Sequence, residues 1–538
     1  MLVLTALIAY PVWLARNQRH FADSLDDGIY WITAKSIADG DGYRVVHQPG
    51  RPFAVKYPPL YPLYLSLAWK LGGQFPENLR YGAALQAALI PPYAALLLFL
   101  MRQLRTTWRR SFLVTALAVV TFHLVLVAAT LMSELLFCCF LLAALLALER
   151  AGSSQPASSA SRWALAGGAL TAIAYLTRSA AAPLYLAVPI FFFLRKRLAL
   201  TLWFALLAVP PAIAWHLWSY THASAVLDPV NSGYLQEYVR IIGATGLWGH
   251  IGQQVATLSG ATAEGLFAGV STLLGGQWLP QPLLIFGTAA CVLVLVTGIS
   301  GCVRLGRRLR WPIAVIFTGL YLLQIVVWWF DGLGRLMLPV WPMLLLGIAE
   351  ELHQFLAALA KSLAGPRAST AHFAAWNARL HWIAAACAAV LIAHNDAYAW
   401  RRIAQIVTES YATRQLDEDV FRRVKSEADP ETVLLTWKDS AAYLYTGIPA
   451  SHGHFATVTP QSISRQVMAK PFSCLPEQYR KGLLVVLRTD IDGPFTGRES
   501  ALFRQRAEAL PAAQLLLRTD SALVYRFQIP GRQPHSAQ

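Results

Sequence analysis

Five aspartates and five tyrosines fall between Phe21 and Trp69, in a chain whose charged residues make up only 14% of the whole. Asp26 and Asp27 stand side by side at the head of DDGIYWITAKSIADG, a segment that fits a helix lying at an interface. A carboxylate there can take a proton from an attacking hydroxyl or bind a metal ion, and a neighbouring carboxylate raises its pKa toward the range of a general base. The bland alternative is capping, since acidic residues suit a helix N-terminus. For Asp23 capping and chemistry are about evenly matched; for Asp26 and Asp27 chemistry is the favoured reading. Asp39 and Asp41 flank Gly40 and Gly42, and turn formation accounts for them.

The second half of the stretch reads Lys56-Tyr57-Pro58-Pro59-Leu60-Tyr61-Pro62. Proline is tolerated in the first turn of a helix, so a helix is predicted to start here. Its N-terminus, with Lys56 beside it, is a ready anion site; the alternative is that Lys56 only snorkels to lipid headgroups. Tyr57 and Tyr61 either join an interfacial aromatic belt or stack on sugar and bind phosphate. Tyr30, in the same stretch, is a further substrate-binding candidate.

Three more charges sit in apolar surroundings: Glu134 in LMSELLF, Arg178 in AYLTRSA, and Arg335 in FDGLGRLMLPVWP, close to Asp331. Charges at such depth are costly unless paired or functional. Two arginines suit a phosphate, which their forked donors grip. Structural ion pairs, Asp331 with Arg335 and Glu134 with Arg178, are the alternative, and they do not exclude function.

The elements that must position these residues follow from composition. The chain has 538 residues, of which 56% are hydrophobic, and its mean hydropathy is +0.44. That argues for several membrane spans. Apolar runs occur at 1–16, 79–101, 111–128, 130–148, 162–177, 180–194, 198–218, 281–300, 311–329, 335–350 and 379–396, about eleven spans in all. The net charge of +16 is explained by clusters between the runs rather than by nucleic-acid binding. Arg102, Arg105, Arg109 and Arg110 form one cluster, Arg195, Lys196 and Arg197 another, and Arg304, Arg307, Arg308 and Arg310 a third; Lys361, Arg367 and Arg379 precede the last run. With eleven spans all of them share one side, which the positive-inside rule makes cytoplasmic. The acidic stretch, Glu134, Arg178, Arg335 and the tail then lie outside the cytoplasmic (inner) membrane.

The predicted organisation is a transmembrane domain over 1–396, with a first outer loop at 17–78 and another at 219–280, and a soluble extracytoplasmic α/β domain over 397–538. Strands are predicted at Thr432–Trp437, Leu483–Arg488, Gln514–Arg518 and Ala522–Ile529, and helices at 411–427, 439–446 and 498–509. The linker 151–161 is small and polar. Cys474 stands alone in the tail, so no disulfide is available within it. No HExxH, Walker, GxGxxG or GxSxG pattern is present. No metal or other cofactor is called for, although a divalent metal is compatible with the carboxylates.

DDGIYWITAKSIADGDGY followed by KYPPLYPLYL resembles the first outer loop of the GT-C membrane glycosyltransferases, in particular the protein O-mannosyltransferase and lipid A aminoarabinose-transferase group (glycosyltransferase family 39 and its bacterial relatives). LMSELLF, AYLTRS and GRLMLPVWP look like three further marks of that group, in the right order, so the resemblance covers about 1–350. It implies a polytopic α-helical membrane protein of GT-C type, and an inverting transfer of a sugar from a polyprenyl-phosphate carrier to a hydroxyl on a lipid, glycan or protein acceptor. It further implies that the acidic pair carries the base. The group commonly has Asp-Glu where this chain has Asp26-Asp27. The cation beside the Pro-Pro block maps to Lys56, or by a one-residue shift to Tyr57, and Arg335 matches the arginine that takes the carrier phosphate. A lipid or sugar transporter and a non-catalytic glycan-assembly subunit are the competing readings; the former would not need the long acidic loop, the latter would not need the acidic pair.

Overall fold

The computed structural model describes residues 26–223, 246–270, 273, 281–328, 333–365, 369–436, 438–451, 472, 475–487, 505, 507–519 and 521–531. The run predicted at 1–16, Asp23, Asp331 and most of the helix predicted over 498–509 lie outside the described residues. In chain order the helices are α1 (Asp26–Ala38), α2 (Leu60–Lys70), α3 (Leu79–Ala88), α4 (Ile90–Gln103), α5 (Trp108–Val119), α6 (Phe122–Ala129), α7 (Glu134–Ser153), α8 (Ala157–Thr177), α9 (Pro183–Leu194), α10 (Leu200–His222), α11 (Leu247–Leu266), α12 (Gln281–Leu309), α13 (Ile313–Val327), the short α14 (Leu333–Leu336), α15 (Trp341–Ala364) and α16 (Thr370–Glu427). Then follow β1 (Thr432–Leu435), α17 (Asp439–Thr446), β2 (Ala450–Ser451), β3 (Lys481–Leu487), β4 (Gln514–Arg518) and β5 (Ala522–Gln528).

Every predicted apolar run among the described residues coincides with a helix, and the protein is a polytopic helical membrane protein with a small sheet domain near its C-terminus. Among the described residues six helical segments are long and apolar enough to cross a membrane: Leu79–Gln103, α7, α10, α12, α15 and Thr370–Ile406. The pair α5 and α6, bent by 56° at its break, makes a seventh. Of the eleven predicted runs, 1–16 lies outside the described residues, and three others fall short of a full span for a physical reason. Ser179–Leu194 and α13 are apolar but short, and α8 is rich in Ala, Gly, Ser and Thr, which dilute its hydropathy.

The chain divides into two compact units: Gln86–Ile213 with Ile242–Gln405 and Met1–Arg16, and Asn17–Leu85 with Ala214–Ile241 and Ile406–Gln538. In the first, helices approach closely through small residues, which is how apolar helices pack when no hydrophobic force separates them from lipid. A Cβ on Gly301 of α12 would run into the backbone carbonyl of Gly347 on α15, and one on Gly347 into that of Gly298. One end of this unit gathers the basic clusters. Glu350 receives Arg110 at 2.9 Å and Arg308 at 2.6 Å, Glu149 receives Arg195 at 2.9 Å, and Glu351 receives Arg304 at 3.0 Å. Glu149 also accepts the Ile313 amide at 3.0 Å. Because α7 rises about 30 Å from its first residue to its last, Glu134 and Glu149–Ser153 stand at opposite ends of this helix.

In the second unit α1 packs on α2 through Trp31 and Trp69, whose rings lie 5.0 Å apart; the Trp69 indole N–H donates to the Trp31 carbonyl at 3.2 Å. The tail forms a five-stranded sheet in the order β2-β1-β3-β5-β4. β1 runs parallel to β2 and β3, and β5 is antiparallel to β3 and β4. Inward-facing Val433, Leu435, Leu484, Val486, Leu523, Tyr525 and Phe527 build its core. Gln514–Arg518 and 439–446 fall where the sequence predicts them. The predicted helix over 411–427 is the end of α16, a 58-residue helix that runs without a break past residue 397. The two-residue strand β2 carries no sequence pattern of its own.

Candidate functional site

Six of the predicted residues come together within the second unit. Asp26 and Asp27 open α1, as the sequence predicts, and their consecutive positions send them different ways round the helix. Asp27 is buried and Asp26 half-buried. The Tyr57 hydroxyl donates to the Asp26 carboxylate. Tyr30, one turn further along α1, packs its ring 4.8 Å from that of Tyr57 and 4.8 Å from that of Tyr61. The Lys56 ammonium stands 5.2 Å from the Tyr57 ring centroid. Lys56 and Tyr57 precede Pro58 and Pro59, and α2 begins at Leu60 with a residue of Pro59 as its N-cap. The predicted helix start beside a cation is therefore where the chain places it.

The backbone around this cluster is held by its neighbours. The Tyr43 hydroxyl donates to the Tyr57 carbonyl at 2.7 Å. Burial, with Tyr30 nearby, pushes the Tyr43 phenol well above its ordinary pKa, so it stays a neutral donor. The Ser36 hydroxyl donates to the Gly42 carbonyl at 2.8 Å and closes the turn after α1. Gly40 and Gly42 hold φ of 85° and 79°, a left-handed backbone that glycine adopts without strain. Asp39 pairs with Lys35, and Asp41 with Arg51, which agrees with the turn reading of those two aspartates.

Three predicted residues come together within the first unit. Glu134 starts α7 and is 1% exposed. Arg178, at the C-terminal end of α8, reaches it at 3.1 Å, and Arg335, on α14, at 3.5 Å. These are ion pairs off the hydrogen-bond line: neither Glu134 oxygen accepts a hydrogen bond among the described residues. The Arg178 guanidinium does donate to the Ser133 hydroxyl at 2.9 Å, and Arg335 lies 3.7 Å from the Met132 sulfur. Among the described residues two guanidinium groups converge on one carboxylate, in a largely buried place where screening is weak. The pairing of Glu134 with Arg178 is as the sequence suggests; that of Glu134 with Arg335 is not legible there, because it depends on the fold of α14 over α7. The predicted partner Asp331 lies outside the described residues.

Two further groups escape the sequence. Ser133, beside Glu134, has the ordinary look of a residue in an apolar run. His123 packs directly beneath Gly334, where a Cβ would collide with its ring, one residue from Arg335. Among the described residues no three His, Cys, Asp or Glu side chains are grouped to hold a metal ion.

The helical architecture and the sheet domain at its end have the GT-C fold of membrane glycosyltransferases, as comparison with solved structures shows. The chain matches the crystal structure of ArnT from Cupriavidus metallidurans in the apo state over 99% of both chains, with 14% identity and a TM-score of 0.50. It matches the same protein bound to undecaprenyl phosphate over 99% of both chains, with 16% identity and a TM-score of 0.52. A weaker likeness, with 12% identity and a TM-score of 0.48, extends over 89% of this chain and 69% of the Archaeoglobus fulgidus oligosaccharyltransferase in its apo form. No protein-family model matches the sequence, and comparison with curated proteins gives no match. At these identities the likeness to ArnT is one of fold, and it is the fold the sequence motifs predict.

Proposed function

We propose that the protein transfers a sugar from a polyprenyl-phosphate-linked donor to an acceptor hydroxyl at the outer face of the cytoplasmic membrane. The observation that carries this reading is the convergence of Arg178 and Arg335 on buried Glu134, on a fold shared with a protein solved bound to undecaprenyl phosphate. Lipid, glycan and protein hydroxyls are the acceptor classes in question. Orientation rests on the basic end of the helical unit, which the positive-inside rule puts in the cytoplasm.

In this reading Arg178 and Arg335 bind the carrier phosphate, and Lys56 adds positive charge for the leaving group. The acceptor oxygen forms a bond to the anomeric carbon from the face opposite the phosphate, the carbon–oxygen bond to the phosphate breaks, and the configuration inverts. Polyprenyl phosphate leaves with the bonding pair. The acceptor proton passes to the Asp26–Asp27 pair. Tyr57, by donating to Asp26, keeps that carboxylate oriented; Asp27 is the more deeply buried of the two. Tyr30 and Tyr61 supply ring faces for the sugar. A divalent ion, if one takes part, would be held by the same carboxylates and would neutralise charge on the phosphate.

Transfer from an undecaprenyl-phosphate-linked sugar by purified protein is the test. Asp26→Asn and Asp27→Asn separately report which carboxylate takes the proton, and the double variant should lose transfer by about a hundredfold or more. Native rates in the double variant would remove the mechanism. Lys56→Ala with Arg335→Ala should abolish binding of undecaprenyl phosphate; unchanged binding would remove the phosphate role. Transfer with and without a chelator decides whether a metal takes part.

A further inference from the structure

The tail sheet has a feature that open α/β sheets commonly use for ligands. β1 is parallel to strands on both sides, and the chain goes from β1 through α17 to β2 on one side, then returns to β3 on the other. Such a reversal opens a crevice outside the carboxyl ends of the strands, where sheets of this kind take their ligands. Beyond β1 that crevice is bordered by Thr436, Lys438 and Asp439. Here it holds the chain's own loop. His47, fully buried, places its Nε2 at 3.0 Å from a carboxylate oxygen of Asp439. The other Asp439 oxygen accepts the Ser440 amide at 2.7 Å. The Ala450 amide of β2 donates to the His47 carbonyl at 2.8 Å. Phe75, further along the same region, sets its ring edge-on to Tyr445 of α17 at 4.9 Å.

His47 lies at the tip of a tight double-back over residues 43–54. Ala54 donates to the Tyr43 carbonyl at 3.0 Å, Val45 to Pro52 at 2.8 Å, and Arg51 to Gln48 at 2.9 Å. The base of this hairpin leads on one side to Tyr43, whose hydroxyl holds the Tyr57 carbonyl, and on the other to Lys56 and Tyr57, which donates to Asp26. The contact at Asp439 is thus connected to Asp26 through the hairpin backbone and the hydrogen bonds that close it. Asp439 and His47 are 392 residues apart in the chain, so only the folded tail can supply this anchor.

We propose that the tail domain acts as a clamp for the loop 43–57, with its switch-point crevice as the jaw and His47 and Asp439 as the positioning pair. Its ligand is the chain itself, and its work is to hold Lys56, Tyr57 and Asp26 in register. The significance for catalysis rests on the transfer reading given above; the clamp itself does not.

The test uses full-length protein in lipid nanodiscs, with His47→Ala, Asp439→Ala, the double variant and Asp439→Asn. Two readouts are taken: amide hydrogen exchange along the chain, and steady-state transfer from an undecaprenyl-phosphate-linked sugar. In His47→Ala and Asp439→Ala, exchange in 43–57 should rise by about tenfold, the loss of one charge-assisted hydrogen bond, while β3 and β5 keep native protection. In 43–57 the double variant should match Asp439→Ala, because His47→Ala removes nothing further from the loop once its partner is gone. The turnover rate should fall by about tenfold to a hundredfold with the donor KM little changed. Asp439→Asn, whose single amide oxygen can serve His47 or the Ser440 amide but not both, should fall between wild type and Asp439→Ala in both readouts. His47→Ala alters the loop side only, so it reports even where Asp439→Ala unfolds the sheet. Unchanged exchange in 43–57 in His47→Ala would overturn the clamp, as would a rise spread evenly over the tail strands. If wild-type protein transfers no sugar but exchange follows the expected pattern, the clamp stands and the transfer reading falls.

Discussion

Glu134 offers the sharpest separation of stability from function. It is 1% exposed and lies 3.1 Å from Arg178 and 3.5 Å from Arg335. At an effective dielectric of about 20 each attraction is worth about 5 kcal/mol, most of it offset by stripping three charges of water. Removing the carboxylate alone takes away the anion on which both guanidinium groups converge. Glu134→Ala should therefore cost about 3–5 kcal/mol of stability, the range for a broken buried pair. Glu134→Gln keeps the volume and an acceptor and should cost less. Replacing all three, as Glu134→Met with Arg178→Met and Arg335→Met, removes the desolvation cost together with the attraction and should recover most of the lost stability. The functional readout should move the opposite way. Glu134→Gln removes one negative charge beside the two guanidinium groups and should bind undecaprenyl phosphate at least as tightly as wild type, whereas the triple variant should not bind it. Thermal melting in detergent and equilibrium binding of undecaprenyl phosphate measure the two effects. Glu134→Ala melting with wild type would refute the ion triad; retained phosphate binding by the triple variant would refute its role as an anion site.

Other outcomes follow from the same geometry. Tyr57→Phe removes the hydroxyl that Asp26 accepts and should change kcat/KM by about tenfold or more, the worth of a hydrogen bond to a charged group; an unchanged value would detach Tyr57 from the acidic pair. Gly347→Val forces a branched side chain against the backbone of α12 and should cost about 1–3 kcal/mol, read as a lower melting temperature, whereas Gly319→Ala, in open space on α13, should be silent. Asp429 loses some ground to burial, but its bond from Lys481 and others from Thr432 and Glu431 outweigh that and hold its carboxyl below the ordinary value. A depressed folded pKa stabilises the tail above the ordinary carboxylate range near pH 4 and loses that contribution as pH falls through the folded value. The melting temperature of Asp429→Asn should accordingly depend less on pH below pH 4 than that of wild type; parallel curves would count against the shift. A reporter fused after Gln538 should signal from outside the cytoplasm, and a cytoplasmic signal would overturn the proposed orientation.

What the sequence settles by itself is whatever short range decides. DDGIYWITAKSIA becomes a helix beginning at Asp26 because two carboxylates suit a helix start, and α2 follows the Pro-Pro block because proline fits the first turn. Apolar runs mark the helices because burial in lipid demands unbroken hydrophobic length, and short, mostly apolar runs mark β1, β3 and β5. Length thresholds are where that reading weakens: α8, α9 and α13 are helices, but their length or composition is short of a full span. Tertiary structure alone decides the pairings between distant residues. Nothing in the local pattern tells Arg335 to share Glu134 with Arg178, or Asp439 to take His47, because each contact is a property of how helices and strands come together. The acidic pair was visible as an anomaly of composition. Its support, the hairpin at 43–54 and the domain that grips it, exists only once residues nearly four hundred positions apart have met.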